Sequence, residues 1–180
     1  MKNLIIIPSR LESSRLPNKP LADINGEPMI VHVFNRAREA NIANVIVAAG
    51  NIEIKDVIEN VGGEAILTKS DHASGSDRIY EALNLYDKDS SYDNVINLQG
   101  DLPNIKKDAL TKIVSLLDSS NSDISTLGVK ISSDQEILNP NIVKAYIKNL
   151  SENNIVDDFD RSFDLSKKDF LYHHIGIYGY

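Results

Sequence analysis

Arg10, Arg15 and Lys19 follow directly on an apolar run at 4–7, in a loop that also holds Pro8, Pro17 and Pro20. In an open α/β sheet, ligands settle at the carboxyl ends of the strands. Three cations there, on an otherwise acidic chain, point to a polyphosphate site. Arg offers a planar fork to phosphate oxygens and Lys a mobile point charge. The prolines restrict the loop, so part of its ordering cost is met before ligand arrives. An ordinary solvated loop is the alternative. Asp101, in Gln99-Gly100-Asp101, follows another apolar stretch and so belongs on the same rim. A carboxylate facing a phosphate loop suits Mg²⁺, although Gly-Asp also occurs in plain turns. Ser74-Gly75-Ser76-Asp77-Arg78 stands before a helical pattern, where Ser and Gly read as a cap.

The elements that must position these residues alternate. Residues 45–49 read as a second buried strand, after an amphipathic helix over 28–40 with Ile30, Val33, Phe34 and Ala37 at helical spacing. A helix over 52–60 ends at Gly62-Gly63, and a strand follows at 65–67. Residues 76–86 form a helix with Ile79, Ala82, Leu83 and Tyr86 on one face, then come a strand at 93–98, a helix at 106–117 and a strand at 123–129. The βαβα order predicts an α/β fold with a mainly parallel sheet covered by helices. After Asn139 the pattern shifts to strands at 142–147 and 171–178, with the polar stretch 153–169 read as loop. That shift marks a substrate-binding subdomain. The glycine spacing lacks the dinucleotide fingerprint of dehydrogenases.

Composition narrows the class. A length of 180 residues with 42% hydrophobic and 25% charged residues fits one globular domain. No apolar run is long enough to span a membrane, and the apolar N-terminal stretch stops at Pro8 and Arg10, too early for a signal peptide. Having no Cys, the chain has neither disulfides nor thiolate metal sites, which fits a cytoplasmic protein. A net charge of −7 argues against nucleic-acid binding.

A long ordered series of motifs carries a resemblance. It includes Arg15-Leu16-Pro17-Asn18-Lys19-Pro20-Leu21-Ala22-Asp23-Ile24-Asn25-Gly26, Pro28-Met29-Ile30-Val31-His32-Val33 and Thr68-Lys69-Ser70-Asp71-His72-Ala73-Ser74-Gly75-Ser76-Asp77-Arg78. Asn97-Leu98-Gln99-Gly100-Asp101-Leu102-Pro103, Asn139-Pro140-Asn141-Ile142-Val143-Lys144 and His174-Ile175-Gly176-Ile177-Tyr178-Gly179-Tyr180 follow in order. The chain resembles the 3-deoxy-manno-octulosonate (Kdo) cytidylyltransferases, the CMP-Kdo synthetases of lipopolysaccharide assembly. The resemblance implies a Rossmann-like nucleotide-diphospho-sugar transferase fold and a reaction of CTP with Kdo giving CMP-Kdo and pyrophosphate. It implies that Arg10, Arg15 and Lys19 hold the triphosphate and that Asp101 binds Mg²⁺. Ser74, Gly75 and Ser76 would contact cytosine and ribose, with Arg78 supporting that loop or touching a phosphate.

For the sugar acid, the resemblance implies Gln99, His174 and Tyr178, the last two on one face of an extended segment. Arg161, in Asp158-Phe159-Asp160-Arg161, loosely matches the family's Tyr-Phe-Ser-Arg and suits a carboxylate. The alternatives are half-buried strand residues for His174 and Tyr178, and surface pairing with neighbouring acids for Arg161.

The chain also departs from the family. Leu102 stands where a Glu is usual, and Ala49-Gly50 replaces Thr-Asp. Family members continue past the His-Ile-Gly-Ile-Tyr segment with dimer-forming elements and a second magnesium-binding aspartate. The expectation is therefore one C-terminally incomplete nucleotidyltransferase domain over 1–180, with 139–180 as the sugar-binding and dimerisation part and the family's homodimer interface incomplete. A cytidylyltransferase for another acidic sugar, such as a sialic acid, and an impaired remnant that only binds nucleotide are the competing readings.

Overall fold

The computed structural model describes residues 1–12, 16–119, 122–149 and 154–180, which form two compact units, 1–125 with 177–180, and 126–176.

In the first unit the apolar run becomes β1 (Asn3–Ser9), with Leu4, Ile5, Ile6 and Ile7 fully buried. Apolar side chains at consecutive positions can all be sealed only if both faces of a sheet are covered. β1 pairs parallel with β4 (Asn44–Ala49) on one side and β6 (Asn94–Asn97) on the other, and β5 (Glu64–Leu67) pairs parallel with β4. Between them lie α1 (Met29–Ala40), α2 (Ile52–Asn60) and α3 (Gly75–Tyr86), while α4 (Lys107–Ser119) follows β6. Leu4, Ile6, Ile46 and Ala48 pack with Ile79 and Ala82 of α3. The alternate residue Ile7 lies on the other face, where Ile30 of α1 comes near it beside Gly100.

Local chemistry sets the ends of these helices. Asn41 caps α1 in the left-handed region at φ 52°, and Gly62 stops α2 at φ 72°. Burying Ile30, Val33, Phe34 and Ala37, as the 3.6-residue period requires, fixes the face of α1. A small hairpin, β2 (Asp23–Ile24) with β3 (Glu27–Pro28), turns through Asn25 and Gly26, both at positive φ; the sequence reading missed this Asn-Gly signal.

The second unit takes in most of β7 (Ser125–Lys130), α5 (Asp134–Leu138), β8 (Lys144–Tyr146), β9 (Asp158–Asp160) and the first part of β10 (Leu171–Gly179). β8 pairs antiparallel with both β9 and β10. Ile131, Ile137 and Leu171, with Tyr146 and Phe163, make its apolar cluster. The loop expected over 153–169 is corrected here: β9 lies within it, and a 3-10 turn begins at Leu165. β9 is three exposed residues held by main-chain pairing, so it leaves no apolar alternation to read. The last residues of β10 return to the first unit, where Tyr178 and Gly179 pair antiparallel with Asn97 and Ile96. Among the described residues, no helix is long and apolar enough to cross a membrane.

Candidate active site

The carboxyl ends of β1, β4 and β6 open onto a cleft of about 940 Å³ lined by Arg10, Glu12, Lys19, Asn51, Gln99 and Asp101. The parallel register sets Ser9 beside Ala49, so the loops after both strands emerge together. Gly100 lets the loop after β6 join them, because a Cβ there would lie 2.9 Å from Pro8 O. Asn18, in the left-handed region at φ 56°, starts the 3-10 turn that presents Lys19, and its N–H donates to Leu11 O at 3.1 Å.

Lys19 Nζ donates to Asp101 Oδ2 at 2.8 Å, so the expected phosphate cation and the expected metal ligand are partners. Glu12 accepts from Asn51 Nδ2 at 3.1 Å, and Leu11 N–H donates to Asn51 Oδ1 at 3.0 Å. The Asn51 hydrogen bond holds the Glu12 carboxyl below the usual carboxylate range. Arg10 Nη1 reaches His72 O at 3.3 Å, tying the first loop to the loop ahead of α3. Arg15 lies outside the described residues.

A smaller compartment of about 190 Å³ adjoins, lined by Arg10, His72, Ser74, Gly75, Arg78 and Gln99. Ser74 caps α3 through a reciprocal box: its Oγ accepts from Asp77 N–H at 3.1 Å, and its own N–H donates to Asp77 Oδ2 at 3.1 Å. A Cβ on Gly75 would meet Pro8 Cγ at 3.4 Å and Gln99 Nε2 at 3.6 Å, so a bare backbone suits this approach. Ser76 Oγ lies 3.4 Å from Tyr180 OH. Gln99 is oriented by its Nε2, which donates to Asn97 Oδ1 at 2.7 Å.

Arg78 is buried, and its guanidinium donates to Thr68 Oγ1 at 2.6 Å, Lys69 O at 2.8 Å and Ser70 O at 3.1 Å. These are the bonds of a loop support. Burial draws its pKa below the ordinary value, and neighbouring Arg10 adds to this. Gly50 makes the space: a Cβ there would sit 2.5 Å from Arg78 Nη1. His72 bonds Glu81 through Nε2, which draws the Glu81 carboxyl below its usual range.

Of the expected sugar-acid residues, Gln99 and Tyr178 belong to the first unit, Arg161 and His174 to the second. Burial, and then Tyr180, raises the Tyr178 phenol. Arg161 Nη1 donates to Pro140 O at 3.3 Å and Asn141 O at 3.1 Å; Asp160 takes the Arg161 main-chain N–H at 2.6 Å. Surface pairing of the guanidinium with Asp160 is therefore replaced by carbonyl contacts. Buried Lys144 donates to Asn139 O at 2.6 Å and to Arg161 O. His174 packs edge-on to Phe159 at 4.9 Å and contacts Thr126 Oγ1 at 2.9 Å. Gly176, at φ 78°, lies within β10 between His174 and Tyr178.

Sequence reasoning missed Ser9, Glu12, Asn51 and His72 as lining residues. Asn51 was findable, since it lies two residues past the end of the second strand.

These features define an α/β nucleotide-binding site of the nucleotidyltransferase class, and a family model described as cytidylyltransferase matches residues 4–180, so the chain belongs to the cytidylyltransferase family. Within it the similarity runs to a particular branch. The 3-deoxy-manno-octulosonate cytidylyltransferase of Brucella ovis is 47% identical, over all of this chain and 72% of its own length; the Brucella anthropi enzyme of the same name is 46% identical, over 73% of its length. Among solved structures, a CMP:2-keto-3-deoxy-manno-octonic acid synthetase in complex with CTP superposes with a TM-score of 0.87 at 36% identity, covering all of this chain and 74% of that one. A 4-diphosphocytidyl-2C-methyl-D-erythritol synthase from Anaerococcus prevotii shares the fold alone, at a TM-score of 0.63 and 13% identity over 99% of this chain and 71% of that one.

Proposed function

We propose that this chain is a Kdo cytidylyltransferase, joining CTP and Kdo into CMP-Kdo with release of pyrophosphate for lipopolysaccharide biosynthesis. The observation that carries the reading is the meeting of Arg10, Lys19 and Asp101 in one strand-end cleft of a cytidylyltransferase fold. The anomeric hydroxyl of Kdo attacks the α-phosphorus and gives up its proton to solvent, the bond to the bridging oxygen breaks, and pyrophosphate departs with that electron pair. The protein's part is position and charge, because the nucleophile comes from the substrate. Arg10 and Lys19, joined by Arg15 on the family resemblance, neutralise the triphosphate and then the leaving group. Ser74, Gly75 and Ser76 shape the nucleoside compartment, and Arg78 holds its wall. Gln99, Arg161, His174 and Tyr178 are proposed for the sugar acid, Arg161 for its carboxylate.

Among the described residues, no group of three or more His, Cys, Asp or Glu side chains could by itself hold a metal. Mg²⁺ does not require one, since it is commonly held by one or two carboxylates with substrate phosphates and water. Asp101, a hard anionic donor on the phosphate side of the cleft, fits that role and would hold it. When bound, the ion supplies charge neutralisation and orientation of phosphate oxygens.

We further propose that the two units serve one nucleotidyltransferase domain, with 139–180 as its sugar-binding and dimerisation part. The proposed setting is cytoplasmic, and the proposed assembly is the family homodimer. The test is pyrophosphate release with CTP and Kdo, run beside sialic acid and a no-sugar control. Release with Kdo alone supports the reading. Release with sialic acid in preference to Kdo reassigns the sugar, and no release with either, from protein that binds CTP, refutes the catalytic reading.

A further inference from the structure

Ser9 Oγ is the only buried side-chain polar atom lacking a hydrogen-bond partner among the described residues. Such an atom costs free energy in a folded protein, and an exception calls for an explanation. Its place supplies one. Ser9 closes β1, is 6% exposed, and lines both the large cleft and the smaller compartment, along with Pro8, Arg10 and Gln99. Its main chain is fixed: Ser9 O accepts from Gly50 N–H at 2.9 Å, and its neighbours on either side are ordered in the sheet and the Arg10 loop. Only χ1 is left to turn the hydroxyl, and it has three staggered wells. A bound ligand can therefore satisfy it without main-chain movement.

Resting on the cytidylyltransferase reading, we infer that Ser9 is a ligand-contacting residue, its hydroxyl bonding the nucleoside part of the bound cytidine nucleotide where the two compartments meet. The nucleoside is favoured over the triphosphate for two reasons. The compartment of about 190 Å³ is on the scale of a pyrimidine; Lys19 and Asp101 line only the larger cleft, and of the two cations beside the smaller one Arg78 is committed to Thr68 Oγ1, Lys69 O and Ser70 O. A hydroxyl also suits a base edge or ribose because it both donates and accepts.

The contact predicts opposite effects of one substitution. Ser9→Ala removes an unsatisfied polar atom from the free protein and a hydrogen bond from the complex. Its melting temperature without ligand should equal or exceed the parent's, while CTP and CMP bind about threefold to tenfold more weakly by calorimetry, the range of one net hydrogen bond. Pyrophosphate affinity should be unchanged. Unchanged CMP and CTP affinity overturns the inference, as does a loss confined to pyrophosphate. A lower melting temperature also overturns it, because the hydroxyl would then be satisfied within the free protein. A parent that binds neither CMP nor CTP refutes the cytidylyltransferase reading itself, and is told apart by needing no variant.

Discussion

Lys19 and Asp101 neutralise one another across the cleft at 2.8 Å, with side chains 37% and 52% exposed. An ion pair that open to solvent is worth little, about 0–1 kcal/mol, so an arriving triphosphate separates it at small cost. The pair keeps the free site from presenting a lone carboxylate to an anionic nucleotide. Lys19→Ala should weaken CTP binding on the order of 1.5–3 kcal/mol, through loss of a charge-assisted contact and exposure of the Asp101 charge. Asp101→Asn should act in the other direction when Mg²⁺ is chelated, binding CTP as tightly as the parent or more so. With Mg²⁺ its turnover should fall far more than its nucleotide affinity. Calorimetry with and without EDTA separates these effects; a Mg²⁺ dependence of CTP binding identical in Asp101→Asn and parent would remove the ligand assignment.

Arg78 and Gly50 should behave as one unit. Arg78→Lys cannot reproduce a planar fork that meets Thr68 Oγ1, Lys69 O and Ser70 O together, and it strands acceptors beside the compartment. The expected cost is about 1–3 kcal/mol of stability, with weaker CTP binding as the loop loosens. Gly50→Ala should push the same way, since its Cβ would fall 2.5 Å from Arg78 Nη1. Because both substitutions disturb one contact, their effects in urea unfolding should be less than additive. Strict additivity would show that Gly50 matters for another reason.

What was legible in the sequence follows from how locally each feature is encoded. Continuous apolar residues 4–7 read as a buried strand, as they prove to be, and the spacing of Ile30, Val33, Phe34 and Ala37 specified the α1 face. The strand-end rule then put Arg10, Lys19 and Asp101 on one rim, and the structure joins two of them by an ion pair. Pairings at long range left no such trace. That Asn51 braces Glu12, or that Arg78 lies under Gly50, depends on loops from separate strands converging, which no periodicity records. β9 was missed because an exposed strand held by its main chain has no pattern to read.

His174 gives the second unit a pH dependence with a definite sign. Burial, and then His173, lowers its pKa from the ordinary 6.5, so between that value and the folded one the unfolded chain binds more protons. The stabilisation is fully present above pH 6.5 and is lost as the pH falls through the folded pKa. Urea unfolding at about pH 7.5 and 5.5, either side of the ordinary imidazole value, should show a larger loss in the parent than in His174→Gln. An equal loss in both proteins would mean the imidazole titrates alike in folded and unfolded states.

Ser74 separates capping from nucleotide contact. Its Oγ already accepts from Asp77 N–H at 3.1 Å and donates to Asp77 Oδ2 at 2.7 Å, and its N–H is also held by Asp77. A hydroxyl so committed has little left for a ligand, so its contribution to binding is to set the start of α3 and thereby the approach of Gly75 to Pro8 and Gln99. Ser74→Ala should cost about 0.5–2 kcal/mol of stability, whereas Gly at a helix N-cap costs only a few tenths. CTP affinity should follow the same order, with Ser74→Gly within about twofold of the parent, the equivalent of those few tenths. If Ser74→Gly instead lost as much CTP affinity as Ser74→Ala while keeping its melting temperature, the hydroxyl would have to leave Asp77 and bond the nucleotide directly, and the cap would be a resting arrangement of the free protein.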